Sequence, residues 1–253
     1  MKSALERRAE ILSLLQQTGS QRVELLANQF NVSAVTIRGD LNYLEQQGFI
    51  TRSHGFAVLN SRLINELSIA DKDHHYPELK QRIGKLAATL LKNGERVILD
   101  SGTTTKAIVS HVGETELTVL TNGLDLAMAL VPCPNVEVRL TGGVLRKNAM
   151  SFSGVMADNH LRQYRFDKLF LGVDGFDLDK GITTFNEQEA QLNRLMCEAV
   201  NQVIVVADSS KFGQYSDYVI CQANQIDVLV TDDKLPRNYQ YYLENAGVQV
   251  LIA

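Results

Sequence analysis

The sequence predicts an α/β protein in two parts: a small N-terminal domain of helices closed by a β-hairpin, and a larger C-terminal domain built on a mostly parallel sheet. Two observations carry this prediction. Residues 1–60 place apolar side chains at helical spacing between glycine stops, whereas beyond residue 77 short apolar runs alternate with amphipathic helical stretches. Short buried strands separated by helices are the pattern of a parallel sheet covered on both faces. The 253 residues, 45% of them hydrophobic, hold enough apolar material for such cores, and 17 Gly, 4 Pro and no repeat or biased run belong to an ordinary globular chain.

In chain order, Leu5, Ile11, Leu12, Leu14 and Leu15 form a helical stripe that stops at Gly19. Val23, Leu26, Ala27 and Phe30 form a second, shorter face. After the turn at Asn31 and Val32, Ser33 is placed to cap a third helix whose apolar positions Ile37, Leu41 and Leu44 recur at helical spacing up to Gly48. Residues 49–59 read as a small hairpin turning at His54 and Gly55. Residues 61–77 lose the periodicity and read as a linker ending at Pro77. The domain over 78–253 opens with a helix presenting Ile83, Leu86, Ala87, Leu90 and Leu91. Strand runs follow at 97–99, 117–120, 136–140, 169–173, 203–207, 228–230 and 248–252, with helical stretches such as 124–130 and 187–200 between them.

Composition excludes several function classes. No stretch reaches the length of apolar sequence that a membrane span needs, the basic start leads into mixed sequence rather than a secretory segment, and the expected compartment is the cytoplasm. Three scattered cysteines, Cys133, Cys197 and Cys221, form no paired spacing and suit a reducing environment. There is no GxGxxG, GxxxxGK[ST], HxxxH or HExxH, so neither cofactor nor metal is expected. The net charge of −4 is uneven: residues 1–60 carry six bases against five acids, +1, and the remainder 19 against 24, −5. Any DNA binding must therefore come from a few placed side chains and from oligomerisation, because the bulk field repels phosphate.

A short helix, a tight turn and a Ser-capped helix followed by a hairpin are the layout of a winged helix-turn-helix. In that geometry the second helix enters the major groove. Its outward side chains Ser33, Thr36, Arg38 and Asn42 become candidate DNA contacts, with Arg52 and His54 of the hairpin near the backbone or minor groove. A helical module for dimerisation is the competing reading of the same pattern.

In a parallel sheet ligands bind beyond the carboxyl ends of the strands, and here those ends are rich in hydroxyls and glycine. Asp100, Ser101, Gly102, Thr103, Thr104 and Thr105 precede a helix expected to begin at about Thr105, chemistry suited to a phosphate or carboxylate. Thr121, Asn122, Gly142, Gly143 and Asp174 end three further strands. Lys211 supplies a cation just past another, and Glu187, near a helix start, is placed to hydrogen-bond a sugar hydroxyl.

The run from Ser33 to Leu41, then Leu44–Gly48 and Thr51–Gly55, resembles the DeoR family of bacterial sugar-metabolism regulators. The resemblance continues through Asp100–Thr105, Thr121–Asn122, Thr141–Gly143, Gly172–Gly175 and Asp208–Phe212, and so spans nearly the whole chain. The phrases Thr183–Glu187 and Ala207–Phe212 are most similar to regulators of amino-sugar (galactosamine-type) and sugar-alcohol operons. Two residues depart from the family pattern: Gly39 replaces a basic or polar residue in the recognition helix, and Phe56 replaces the second glycine of the hairpin.

The resemblance implies a C-terminal domain like the sugar-phosphate isomerases, whose corresponding loops hold a sugar phosphate. It implies a repressor over 1–60 and 78–253 whose partners are operator DNA and a phosphorylated sugar, working as a homo-oligomer, dimer or tetramer. The alternative is an active sugar-phosphate isomerase or deaminase with an accessory N-terminal module. Against it, no histidine is placed near the candidate carboxyl groups.

Overall fold

The computed structural model describes residues 3–46, 49–53, 55–59 and 66–253. The chain divides into two units, Met1–Glu66 and Leu67–Ala253.

In the first unit α1 (Ala4–Thr18) begins with a reciprocal cap. The Glu6 amide donates to Ser3 Oγ at 3.3 Å, and the Ser3 amide donates to Glu6 Oε2 at 2.8 Å. It stops at Gly19, where a φ of 73° suits glycine. β1 (Ser20–Arg22), α2 (Val23–Phe30), α3 (Ala34–Gln46) and the hairpin strands β2 (Ile50–Ser53) and β3 (Phe56–Leu59) follow. The core is made by Ile11, Leu15, Leu26, Ile37, Leu41, Leu44 and Ile50, the periodic positions of the three helices with the first residue of the wing. β1 is a third strand on the hairpin, in the order β1-β3-β2. Three residues are too few to show a strand period, so it has no sequence signature.

α3 also buries Asp40, whose carboxylate takes Arg7 Nε at 2.5 Å and Arg8 Nε at 2.9 Å from α1. This network fixes α3 to α1, and it commits two of the six N-terminal bases, Arg7 buried and Arg8 half-buried, to Asp40. Phe56 has a physical partner: the Arg22 guanidinium lies 4.9 Å from its ring centroid. Gly39 faces open space, with no heavy atom within 4 Å of where a Cβ would stand.

In the second unit the elements run α4 (Ile69–His74), α5 (Pro77–Ala88), β4 (Glu95–Leu99), α6 (Thr103–Val109), β5 (Leu117–Thr121), α7 (Leu124–Leu130), β6 (Val136–Leu140) and β7 (Val144–Arg146). Then come β8 (Ser151–Ser153), α8 (Val155–Leu161), β9 (Phe166–Gly172), β10 (Gly175–Asp177), β11 (Gly181–Thr184), α9 (Glu187–Glu198) and β12 (Val200–Val206). β13 (Tyr218–Cys221), β14 (Val228–Thr231), α10 (Arg237–Asn245) and β15 (Gln249–Ile252) complete it.

Seven strands form one sheet in the order β15-β14-β12-β9-β4-β5-β6, every pair parallel. From β4 the chain builds outward through β5 and β6, then crosses to the other side of β4 for β9, β12, β14 and β15. The strand order therefore reverses between β4 and β9, which opens a crevice beyond their carboxyl ends. One core layer carries Ile98, Leu120, Leu169 and Leu171, the opposite layer Val97, Leu99, Val119 and Phe170, as alternation along each strand requires. α5 lies close against α6 because residue 84 is glycine: a Cβ there would stand 2.6 Å from the Ala107 carbonyl carbon.

Three expectations change. The stretch read as a linker contains α4, which begins at a Ser68 cap, donates a 2.8 Å hydrogen bond from its Ile69 amide to the Asn148 carbonyl, and lies within the second unit; residues 61–65 are outside the described residues. α4 buries no side chain, so it leaves no apolar period to read. α6 starts at Thr103 rather than about Thr105, and α5 ends at Ala88, leaving Leu90 and Leu91 to pack from the following turn.

Candidate functional site

Ser33, just before α3, and Val35, Arg38 and Asn42 on it are exposed, and Thr36 is half-buried. Ser33 Oγ accepts the Thr36 amide at 3.1 Å and lies 2.8 Å from Thr36 Oγ1, so these two hydroxyls build the helix start before they offer anything to a ligand. Arg52 is drawn to α3: its Nε and its amide donate to Glu45 at 2.9 and 3.0 Å. That pair docks the wing on the helix. His54 lies outside the described residues. Val35, 73% exposed in the first turn of α3, was not singled out by sequence. An apolar side chain displayed at that place suits a thymine methyl.

At the carboxyl ends of β4 and β5, Ser101 and Asn122 pair reciprocally. The Ser101 amide donates to Asn122 Oδ1 at 2.8 Å, and Asn122 Nδ2 donates to Ser101 Oγ at 3.2 Å. Asp100 is buried beside them, and a Cβ at Gly172 of the neighbouring strand would stand 3.6 Å from its carboxylate. Burial, reinforced by the Glu189 carboxylate, pushes Asp100 up to about 7, against hydrogen bonds from Asn193, the Ser101 amide and Asn122. Thr103, Thr104 and Thr105 are buried at the start of α6 behind Gly102, and Thr105 Oγ1 donates to the Gly102 carbonyl at 2.8 Å.

Other predicted residues have local duties. Thr121 Oγ1 accepts the Gly123 amide at 2.9 Å. Gly142 has a φ of 69°, and Gly143 lets the β7–β8 hairpin approach, since a Cβ there would meet the Ser153 carbonyl oxygen at 2.5 Å. Glu187 is exposed at the first residue of α9; two residues on, Glu189 is buried, accepts Ser151 Oγ at 2.5 Å and pairs with Arg146. The carboxylate facing Asp100 is therefore Glu189, not Glu187.

At the ends of β9 and β12 the site becomes cationic. Asp174 Oδ1 binds Lys72 Nζ at 2.7 Å and Asp174 Oδ2 accepts Thr184 Oγ1 at 2.9 Å. Burial opposes the carboxylate's charge, but Lys72 and Lys211 outweigh it and hold Asp174 below the usual range. Lys80 is buried on α5 with its Nζ donating to the Lys72 carbonyl, and desolvation together with the Lys211 charge lowers it to about 8. Burial, with the charges of Lys211 and Lys80, lowers His75 as well. Lys72, Lys80, His75 and Glu189 escaped the sequence reading. Lys80 alone left a trace there, a lysine three residues before Ile83 on the apolar stripe of its helix.

A pH effect follows from Asp100. Its folded-state value is raised, so the stability it contributes is present below about pH 4 and lost as pH rises to about 7, up to about 4 kcal/mol. The melting temperature of this unit is expected to fall over that window, and Asp100→Asn to flatten the fall in scanning calorimetry.

Residues 7–63 match the model of the DeoR-like helix-turn-helix domain and residues 75–233 that of the DeoR C terminal sensor domain. The chain is 42% identical over 250 residues to the Putative aga operon transcriptional repressor of Escherichia coli O157:H7, covering 98% of this chain and 93% of that one. It is 36% identical to the HTH-type transcriptional regulator GolR of Listeria innocua, covering 98% of each. To the transcriptional repressor GlcR of Bacillus subtilis it is 35% identical, with 98% and 95% covered. Among solved structures, ribose 5-phosphate isomerase A of Methanocaldococcus jannaschii aligns at a TM-score of 0.40, 17% identity and 54% of each chain. A probable sor operon regulator of Shigella flexneri aligns at 0.41 and 13% identity, over 81% of this chain and 97% of that one.

Proposed function

Because this chain belongs to the DeoR family of helix-turn-helix transcriptional regulators, we propose that it represses a sugar or amino-sugar catabolic operon, and that a phosphorylated sugar bound beyond β4 and β9 lowers its operator affinity. The observation that carries the effector reading is the cluster of Lys72, Lys80 and Lys211, where a buried ammonium lowered to about 8 is stabilised by an arriving anion. Lys80 and Lys211 take the phosphate, while Asp100, Asn122 and Glu189 line the end that receives sugar hydroxyls. The backbone at Gly102 and the buried Thr103 and Thr104 border both. An amino-sugar 6-phosphate is the first candidate, and the site is a sensor rather than a catalyst. Thermal-shift screening against sugar phosphates tests this, since a ligand at 100 times its dissociation constant adds about 2.7 kcal/mol of apparent stability. No shift with any phosphorylated sugar would overturn it.

Operator binding uses α3, with Val35, Arg38 and Asn42 toward the major groove. Arg38→Ala is expected to cost about 1–3 kcal/mol of operator affinity with an unchanged melting temperature, measured by fluorescence anisotropy on the upstream DNA. Equal affinity would remove α3 from the groove. A domain of charge +1 with Arg7 and Arg8 committed to Asp40 gathers few phosphate contacts, so the working form is a symmetric oligomer on a repeated site, in the cytoplasm. Light scattering of a monomer at operator-binding concentrations would contradict that. No helix among the described residues is long and apolar enough to cross a membrane.

A further inference from the structure

We infer that α4 is the element that couples the effector crevice to the DNA-binding unit, and that the Lys72–Asp174 ion pair is a latch that a bound phosphate opens. The inference rests on the reading that a sugar phosphate binds beside Lys80 and Lys211. α4 is the first element of the second unit, directly after the segment that joins it to the winged helix. It has six residues and buries none of them, so its position depends on polar ties rather than on a core.

Those ties are specific. Lys72 Nζ meets Asp174 at 2.7 Å, Asp73 meets Lys106 Nζ at 3.0 Å, the Ile69 amide donates to the Asn148 carbonyl at 2.8 Å, and the Lys72 carbonyl accepts Lys80 Nζ. Two of them, those to Asp174 and to Lys80, end on groups of the crevice itself. A phosphate dianion there competes with the single charge of Asp174 for the Lys72 ammonium, and it draws Lys80 Nζ from the Lys72 carbonyl to its own oxygens. Both ties of Lys72 are then lost together. A ligand shifts a conformational equilibrium only by its differential affinity for the two states, and here the difference lies in these contacts, which exist in the ligand-free state.

The test has a ligand-free arm and a ligand arm. In the full-length protein without ligand, Lys72→Met is expected to speed amide exchange over residues 69–74 and to weaken operator binding roughly five- to tenfold, the lower end of a typical coupling, while Lys72→Arg, which keeps the charge, restores both. In the unaltered protein, galactosamine 6-phosphate is expected to speed exchange of the same amides. Operator affinity of a folded Lys72→Met within twofold of the unaltered protein would overturn the latch. So would unchanged exchange over 69–74 in the unaltered protein at saturating ligand, a measurement that stands if Lys72→Met does not fold. Absence of binding by any sugar phosphate would instead sink the effector reading, and the ligand-free arm would still judge the role of α4.

Discussion

Replacing Asp40 with alanine is expected to destabilise the winged helix by about 3–5 kcal/mol and weaken operator binding while the sensor unit stays folded. Asp40 is 3% exposed at its side chain and holds Arg7, 9% exposed, and Arg8 through 2.5 and 2.9 Å contacts. Removing one partner of a buried ion pair costs about 3–5 kcal/mol, because the remaining charge keeps its desolvation and loses its compensation. A domain of this size has only about 5–15 kcal/mol to lose. Calorimetry is expected to show the N-terminal transition shifted down or absent and the C-terminal one unmoved, with sugar-phosphate thermal shifts retained. An N-terminal transition at its original temperature would show that the network contributes little. Asp40→Asn, which can still accept from one arginine, is expected to fall between the two.

The second large effect is expected at Lys80. Lys80→Met keeps the length of the side chain and removes its charge, and loss of a buried charged partner of a phosphate costs about 2–5 kcal/mol of affinity. Lys211→Ala, at a half-buried position, is expected to act in the same direction by less and to keep its operator affinity in the absence of ligand, whereas Lys80→Met also removes the tie to the Lys72 carbonyl and lowers that affinity.

The pH dependence distinguishes the two lysines. Lys80 titrates at about 8 in the folded protein against 10.5 for the free side chain, so phosphate affinity is expected to fall as pH rises past 8, and Lys80→Met to lose that limb. Stability moves the opposite way. The unfolded chain binds the extra proton between pH 8 and 10.5, so stability rises with pH across that window. Below it, Lys80→Met is expected to melt higher than the unaltered protein, a gain in stability at the expense of function. Titration calorimetry from about pH 6.5 to about 9.5 checks the affinity slope and scanning calorimetry over the same range the stability slope, and equal ligand affinity in the two proteins would exclude Lys80 from the site.

Much of the architecture was legible because its signals are local. Helical spacing of Ile37, Leu41 and Leu44 behind a Ser33 cap specifies α3 within a dozen residues, and the apolar runs mark the sheet strands because a strand buried on both faces leaves no other composition. The loops at 100–105, 121–122 and 174 were legible as strand ends by the same logic, since strand ends are visible wherever strands are. That there are two units is legible from the change in period near residue 77, but the division itself falls earlier, between Glu66 and Leu67, ahead of α4.

Only the tertiary structure decided which side chains meet. Asp40 lies 33 residues from Arg7, and Lys72 lies 102 from Asp174, separations across which no local pattern carries information. Glu187 and Glu189 are equivalent in sequence at the start of α9; the face that α9 buries makes the second the partner of Asp100 and leaves the first in solvent. α4 looked like a linker because charged contacts, not buried apolar area, hold it in place. Periodicity reports which side chains leave water, and pairing between charges depends on distances of a few ångströms that are set only when the strands and helices have packed.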